Sequence, residues 1–352
     1  MLRDEIHYLG SYDEEYARHR VIQSGLRALG LEIAETRDRG FLPLRWWRLS
    51  RAALRAGRDQ PLIVGESGNF LTPVLWVAKL SGRTLIFDTF VSLRDTLLDR
   101  HRLLGRPLSQ VGRVLDVANC YAANLVLVDT KQALEHFASD LGITRSKLEV
   151  VYVGAETDLF TPSPLPREDA QLHVLFYGSF IPLHGIEVVL RAAAVLQDRR
   201  ANITLQLVGS GQEYRRMRLI ARRLRLGNVE FGPARVAYDE LPELISRADV
   251  CLGVFADRPK TMRVIPHKVF QSAACGRPVV TADTPAIREI FSDVTLALVD
   301  PGNPIALADE LTALAGDRPR RAALAHAASS LVRDQYSPTA IAARLLDRFS
   351  RL

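Results

Sequence analysis

The residues whose types and spacing could do chemistry fall into a few short stretches. One is Arg263-Val264-Ile265-Pro266-His267-Lys268-Val269-Phe270-Gln271, which runs on through Gly276 to Pro278-Val279-Val280-Thr281. Pro266 suits the first position of a helix, Val269 to Ala274 carries that helix, Gly276 ends it, and the following apolar run reads as a strand. Free backbone N–H groups at such a helix start attract phosphate. Two further stretches, Gly178-Ser179-Phe180-Ile181-Pro182-Leu183-His184-Gly185 and Gly209-Ser210-Gly211-Gln212, each follow a short apolar run, as does Gly10-Ser11-Tyr12 near the start. Glycines there serve a tight strand-to-helix turn, with or without a ligand.

The elements that must position these loops alternate. Short β-branched runs at 5–9, 31–35, 61–65, 84–90, 124–129 and 148–153, and again at 173–177, 204–208, 229–231, 250–255, 278–281 and 295–299, are separated by helical stretches. That pattern predicts an α/β protein with two parallel sheets, each covered by helices on both faces. The Pro-rich segment Phe160 to Asp169 cannot join a central strand, so the expected plan is a first domain over 1–160, a linker over 161–169 and a second domain over 170–334. A final helix over 335–352 is expected to pack back on the first domain. Open α/β sheets bind ligands outside the carboxyl ends of their strands, where all the glycine loops fall.

Composition narrows the partners. The 352 residues are 47% hydrophobic and 24% charged, values of a folded chain. No apolar run reaches membrane-spanning length and Met1 to Glu5 lack a signal-peptide core, so a cytoplasmic protein is expected. Cys120, Cys251 and Cys275 lack CxxC spacing, which argues against disulfides and zinc. The net charge of +6 favours acidic partners, and without any nucleic-acid motif these are expected to be nucleotide phosphates and anionic lipid rather than nucleic acid. Arg45, Arg48, Arg51, Arg55 and Arg58 fall within about 140° on a helical wheel, with Trp46, Trp47, Leu49, Ala53 and Leu54 over much of the other side. Such a helix either lies on an anionic membrane surface or packs its apolar side on the sheet and turns its arginines to water.

Four blocks in order resemble the family-4 glycosyltransferases of the GT-B class. They are Leu175 to Ile186; Leu207-Val208-Gly209-Ser210-Gly211; Val229 to Pro233 with Leu241-Pro242; and Ala248 to Gly253 running into Ile265 to Gln271. The likeness is strongest from Val174 to Glu289. It implies two facing Rossmann-like domains, a nucleoside diphosphate sugar as donor substrate, no further cofactor and no metal. It also implies transfer of a hexose-type unit, with retention of configuration, to a hydroxyl of a glycan, lipid-linked saccharide or small glycoside.

The donor-binding set expected from these residues and the resemblance together is Gly10, Gly178, Ser179, His184, Gly209, Gly211, Lys260, Arg263, Pro266, His267, Lys268 and Gln271. Departures from the family matter. Many members have two glutamates eight residues apart where this chain has Arg263 and Gln271, and an Arg and a Lys on the diphosphate where it has Ser179 and His184. Gln271 keeps hydrogen-bonding atoms for ribose hydroxyls, and His184 is expected to donate to a phosphate and gain charge when one is bound. Lys260, Arg263 and Lys268 are expected to supply the missing positive charge. Asp88, at the end of a strand, is expected to touch sugar or acceptor and, with His184, to form the catalytic pair; capping the next helix is the competing role. Two other activities fit the same residues: a sugar-nucleotide epimerase of this fold, and a non-catalytic partner subunit with a degenerate donor loop.

Overall fold

Along the first sheet, Ile6, Tyr8, Ile63 and Ile86 face one way while Leu9, Leu62, Val64 and Phe87 face the other, the two-residue period of extended chain. Both faces are apolar, so both must be covered. The computed structural model describes residues 5–57, 60–66, 70–89, 92–100, 105–166 and 171–351. It divides the chain into one unit of Met1–Val153 with Pro338–Leu352 and another of Gly154–Ser337.

The first unit runs β1 (Glu5–Ser11), α1 (Ala17–Ala28), β2 (Glu32–Arg37), α2 (Leu42–Arg55), β3 (Leu62–Glu66), α3 (Thr72–Leu80), β4 (Leu85–Asp88), α4 (Leu93–Arg100), α5 (Gly105–Ala122), β5 (Leu125–Val128), α6 (Lys131–Ser139) and β6 (Leu148–Val150). The second continues with β7 (Leu172–Tyr177), α7 (Ile186–Asp198), β8 (Ile203–Val208), α8 (Tyr214–Arg223), β9 (Val229–Phe231), α9 (Leu241–Ser246), β10 (Val250–Leu252), α10 (His267–Ala274), β11 (Val279–Ala282), β12 (Ala297–Val299), α11 (Pro304–Gly316) and α12 (Arg318–Gln335). The last helix, α13 (Pro338–Phe349), returns to the first unit and packs on α1.

Each predicted strand position holds a strand, with ends that differ by a few residues; β10, for example, stops at Leu252 rather than 255. Phe90, the end of one predicted strand, lies outside the described residues. The sheets are six-stranded and parallel, in the orders β2-β1-β3-β4-β5-β6 and β12-β11-β10-β7-β8-β9. In the first unit α1 and α13 cover one face, and α2, α3, α5 and α6 the other. In the second, α7, α8 and α11 share one core with the sheet, while α10 packs on β10, β11 and α12.

The expected linker is not where the units divide. The boundary falls at Val153–Gly154, and residues 161–166 are tied into the second unit, the rest of the segment up to 170 lying outside the described residues. The cause is Arg277. Its fully buried guanidinium donates to the Ser163 carbonyl at 3.1 Å, the Ser163 hydroxyl at 2.6 Å and the Pro164 carbonyl at 2.8 Å, and Arg318 holds the Pro166 carbonyl at 2.8 Å. Proline content alone does not distinguish a hinge from a strap, because the bonds that pin a strap come from residues far along the chain.

The apolar and basic sides expected for α2 also differ. Packed against β1, β2 and α3, it buries only Leu49 and Ala53, with Trp46 half-buried; its indole N–H donates to the Phe70 carbonyl at 2.6 Å. Trp47 and Leu54 stand on the exposed side among the arginines, each 56% exposed. Arg45 instead turns inward to the Ser11 hydroxyl at 2.8 Å, and Arg58 lies outside the described residues. Among the described residues no helix is long and apolar enough to cross a membrane.

Candidate functional site

In the second sheet β7 pairs with β8 on one side and β10 on the other. The chain's direction of winding reverses there, which opens a crevice beyond the strand ends. Three loops converge on it. The loop after β7 bonds to the loop after β8 through Phe180 N–H to the Ser210 carbonyl at 2.9 Å. Gly209 has φ +126°, and a Cβ on it would sit 2.1 Å from the Gly178 carbonyl oxygen, so only glycine allows this approach. The third loop joins through Thr261, whose hydroxyl donates to the Leu183 carbonyl at 3.4 Å. That contact brings the 3-10 turn Thr261–Arg263, with half-buried Lys260 and Arg263, against the first loop.

Helix α10 rises from the same place. Pro266 is its N-cap rather than its first residue, with ψ 147°, and His267 begins the helix. The shift follows from φ alone being fixed by the proline ring: ψ stays free to remain extended. Tyr177, the last residue of β7, fastens α10 to the sheet, its hydroxyl lying 3.2 Å from the Lys268 carbonyl, 3.2 Å from Gln271 Oε1 and 3.3 Å from the Ser272 hydroxyl. Gln271 is 3% exposed with its amide oxygen thus engaged, so it belongs to this anchor before it belongs to any ribose.

Lys268 is the unusual member. The residue is 5% exposed, its Nζ lies 3.8 Å from the centre of the Phe176 ring and 3.2 Å from the point a Cβ on Gly178 would occupy, and it makes no hydrogen bond. Burial holds its pKa well below the usual lysine range. An amine so placed has, among the described residues, a ring face and no carboxylate to hold a charge, which is an expensive arrangement for a group with purely structural duty.

His184 departs from its expected role. Its Nδ1 is bonded to the Ser179 carbonyl. A carbonyl can only accept, so Nδ1 carries the proton and, in the neutral ring, Nε2 is an acceptor. Burial, with nearby Lys268 and His267 adding to it against the Ser179 carbonyl, keeps the imidazole pKa well below its ordinary value. The ring therefore braces its own loop, and it donates to a phosphate only after a second proton arrives. Ser179 itself is exposed at the head of the loop.

Asp88 is a correction. It ends β4 as expected but is fully buried, and its Oδ1 accepts from Arg18 Nε at 2.8 Å with Arg18 Nη2 at 2.7 Å. Arg18 also donates to the Val151 carbonyl at 2.5 Å, and His19, bonded to the Tyr8 hydroxyl at 2.8 Å, stands 3.7 Å from Asp88 Oδ2. Its Oδ1 is thus an internal tie to a guanidinium, while its buried Oδ2 makes no hydrogen bond among the described residues; α4 is capped instead by Asp116, whose Oδ1 and Oδ2 accept from the backbone N–H groups of Leu93 and Arg94, each at 3.0 Å. Gly10 likewise lies within β1, where a Cβ would meet the Gly65 carbonyl oxygen at 1.9 Å; strand packing accounts for it without a ligand. Sequence reasoning missed Tyr177 and Phe176, although their position just before the Gly178 turn was a usable signal. Among the described residues no cluster of His, Cys, Asp and Glu is placed to hold a metal ion.

Two parallel α/β units with glycine loops at a switch point define the architecture of GT-B glycosyltransferases. Residues 171–317, most of the second unit, match the family described as "Glycosyl transferases group 1". Over the whole chain the fold is shared with Anabaena HepE, solved in complex with UDP-glucose, at a TM-score of 0.76 and 18% identity over 99% of this chain and 100% of that one. It is shared equally with sucrose-phosphate synthase from Thermosynechococcus elongatus, TM-score 0.76 and 17% identity over 99% of each chain. Curated relatives include D-inositol 3-phosphate glycosyltransferases of Arthrobacter sp. (strain FB24), 29% identical over 62% of this chain and 52% of theirs, and of Mycobacterium sp. (strain KMS), 30% identical over 63% and 52%. The chain thus spans about half the length of these relatives.

Proposed function

We propose that the chain is a glycosyltransferase that takes its sugar from a nucleoside diphosphate sugar, binding the donor's diphosphate in the second unit. The observation that carries this reading is the buried Lys268 ammonium, which has no hydrogen-bond partner, beside the Gly178 turn and the first turn of α10. A diphosphate there meets three kinds of positive potential at once: the ammonium, the N-terminal end of the α10 dipole and the backbone of the glycine loops. Lys260 and Arg263 stand in the neighbouring turn to add charge. The same groups stabilise the diphosphate as it leaves the sugar, which is where the negative charge develops in the transition state.

The rest of the donor follows from position. Gln271 is assigned to the ribose through whichever amide atom Tyr177 leaves open, and Gly178, Gly209 and Gly211 admit the backbone close to the phosphates. The acceptor is assigned to the first unit. Retention of configuration and a hexose-type sugar rest on the family resemblance, and the solved relative with UDP-glucose makes UDP the first probe. A peripheral contact of the α2 region with an anionic membrane belongs to the same reading, with a glycan, lipid-linked saccharide or small glycoside as acceptor.

The test is a thermal-shift series with UDP, other nucleoside diphosphates and their sugar conjugates. A ligand at a hundred times its Kd stabilises a fold by about 2.7 kcal/mol, a readily measured shift. The expected result is stabilisation by one diphosphate and its sugar but not by the bare nucleoside. No stabilisation by any member of the series defeats the reading. Turnover without acceptor to an epimeric sugar nucleotide would select the epimerase, and tight binding with no product under any acceptor the partner subunit.

A further inference from the structure

The outward stripe of α2 mixes two chemistries that are ordinarily kept apart. Leu44, Trp47, Arg48, Arg51, Leu54 and Arg55 follow one another at steps of three, one, three, three and one, which places them within about 120° of the helix circumference. All are exposed, Trp47 and Leu54 at 56% and Leu44 at 45%, and Phe41 just before the helix is 79% exposed. Buried Leu49 and Ala53 hold the opposite side on the sheet. An ordinary solvent-facing helix gains nothing from a solvated indole and three solvated aliphatic or phenyl groups on one stripe.

Beside this stripe lies a cavity of about 640 Å3, entirely within the first unit, lined by Arg48, Arg51, Arg55, Trp47, His7 and Glu5 among others. The charges in it are unequal. Arg48 is paired with Asp38 at 3.2 Å, Arg51 stacks on Trp47 at 5.2 Å from the ring centre, and Arg55 meets no carboxylate among the described residues. Against them stands Glu5, already bonded to Gln60, while burial keeps the His7 imidazole toward its neutral form. Among the described residues two guanidinium groups are thus left with planar, unused donors facing one hollow, a geometry suited to phosphate oxygens.

We infer that this groove seats the phosphate of an anionic lipid headgroup, with Phe41, Leu44, Trp47 and Leu54 entering the interfacial layer around it. The inference deepens the proposed membrane contact by giving it a defined site, and it does not depend on the chain transferring sugar. Charge complementarity selects lipid over a second copy of this chain: in a two-fold contact the arginine stripe would meet itself, whereas an anionic bilayer offers phosphate and an apolar layer in the order the stripe presents them.

The experiment is flotation of the full chain with vesicles of phosphatidylcholine alone and of phosphatidylcholine with phosphatidylglycerol, without nucleotide or sugar. Binding is expected only to the anionic vesicles and should fade as salt rises toward a Debye length of about 8 Å. Arg51→Gln with Arg55→Gln should lower the partition coefficient roughly 25-fold at unchanged Tm, two basic groups at about fivefold each. Trp47→Ala should weaken binding without altering its salt dependence. Equal binding by the double variant, or equal binding to neutral vesicles, overturns the inference. Release of the protein from vesicles by millimolar inorganic phosphate at matched ionic strength would assign the groove to a soluble phosphate and overturn the lipid. Because no arm involves UDP or turnover, failure here leaves the donor site standing, and failure of donor binding leaves this groove standing.

Discussion

The two units each bury a cation near the carboxyl end of a central strand, and they treat it in opposite ways. In the first, Arg18 is fully buried and closed by Asp88 and the Val151 carbonyl, so that α1, β4 and the segment after β6 are tied together. In the second, Lys268 is almost as buried but ends on a ring face with no hydrogen bond. A paired buried charge contributes to specifying a fold, and losing one partner is costly. An unpaired one raises the free energy of the empty protein, and an arriving anion lowers it again. The contrast separates a buried charge that is paired from one that meets only a ring face among the described residues.

The largest effect that can break this comparison is on Asp88. Asp88→Ala leaves the Arg18 guanidinium uncompensated and should cost about 3–5 kcal/mol. Because Trp46, Trp47 and Trp76 all lie in the first unit, urea denaturation followed by tryptophan fluorescence reads that loss directly. Lys268→Met should cost nothing in the same sense, removing a desolvated amine rather than half of a pair; calorimetry of the free protein should show an unchanged or raised Tm. If both variants are equally destabilised, the two cations do the same job and the contrast fails.

Next in size is the ligand side. Lys268→Met should weaken nucleoside diphosphate binding by about 1.5–3 kcal/mol while leaving the bare nucleoside unaffected, the range for a charged hydrogen bond. Isothermal titration of both ligands checks it, and equal losses would place Lys268 away from the phosphates.

The pH dependence sharpens the comparison. Burial lowers the His19 pKa from 6.5 to about 4, the Asp88 charge opposing that shift and Arg18 adding to it. Below pH 6.5 the unfolded chain takes up a proton that the folded one refuses, so first-unit stability should fall between pH 6.5 and about 4 and then level. His19→Gln should flatten that part of the profile. For Lys268, also lowered by burial, binding of an anion favours the charged form, so diphosphate binding should take up a proton and weaken as pH rises. Titrations in buffers of different ionisation enthalpy count that proton. It should persist in His184→Asn, which keeps a donor for the Ser179 carbonyl, and vanish in Lys268→Met.

Much of this was legible in the sequence for definite reasons. The strands announce themselves because both sheet faces are buried, leaving short β-branched runs such as Leu85-Ile86-Phe87 between helices. The loops announce themselves through Gly178, Gly209 and Gly211. What the sequence hid depends on long-range partners. Nothing local says that Arg18 lies against Asp88, seventy residues on, or that Arg277 straps down Ser163 and Pro164. The helical wheel of α2 likewise gave the angles of its residues, but not the narrow width of the surface that α2 would cover.

The return of α13 to the first unit has a consequence for the order of events during synthesis. The body of the first unit is made before the second, yet the face of α1 that carries Val21, Ile22 and Leu26 shares a core with Ile341, Ala342 and Leu345, which follow the second unit in the chain. The second unit, one uninterrupted stretch from Gly154 to Ser337, has all its parts in hand earlier. Completion is therefore inverted relative to the sequence: the first unit waits, with apolar surface open to chaperones, until the whole of the second unit and then α13 have been made.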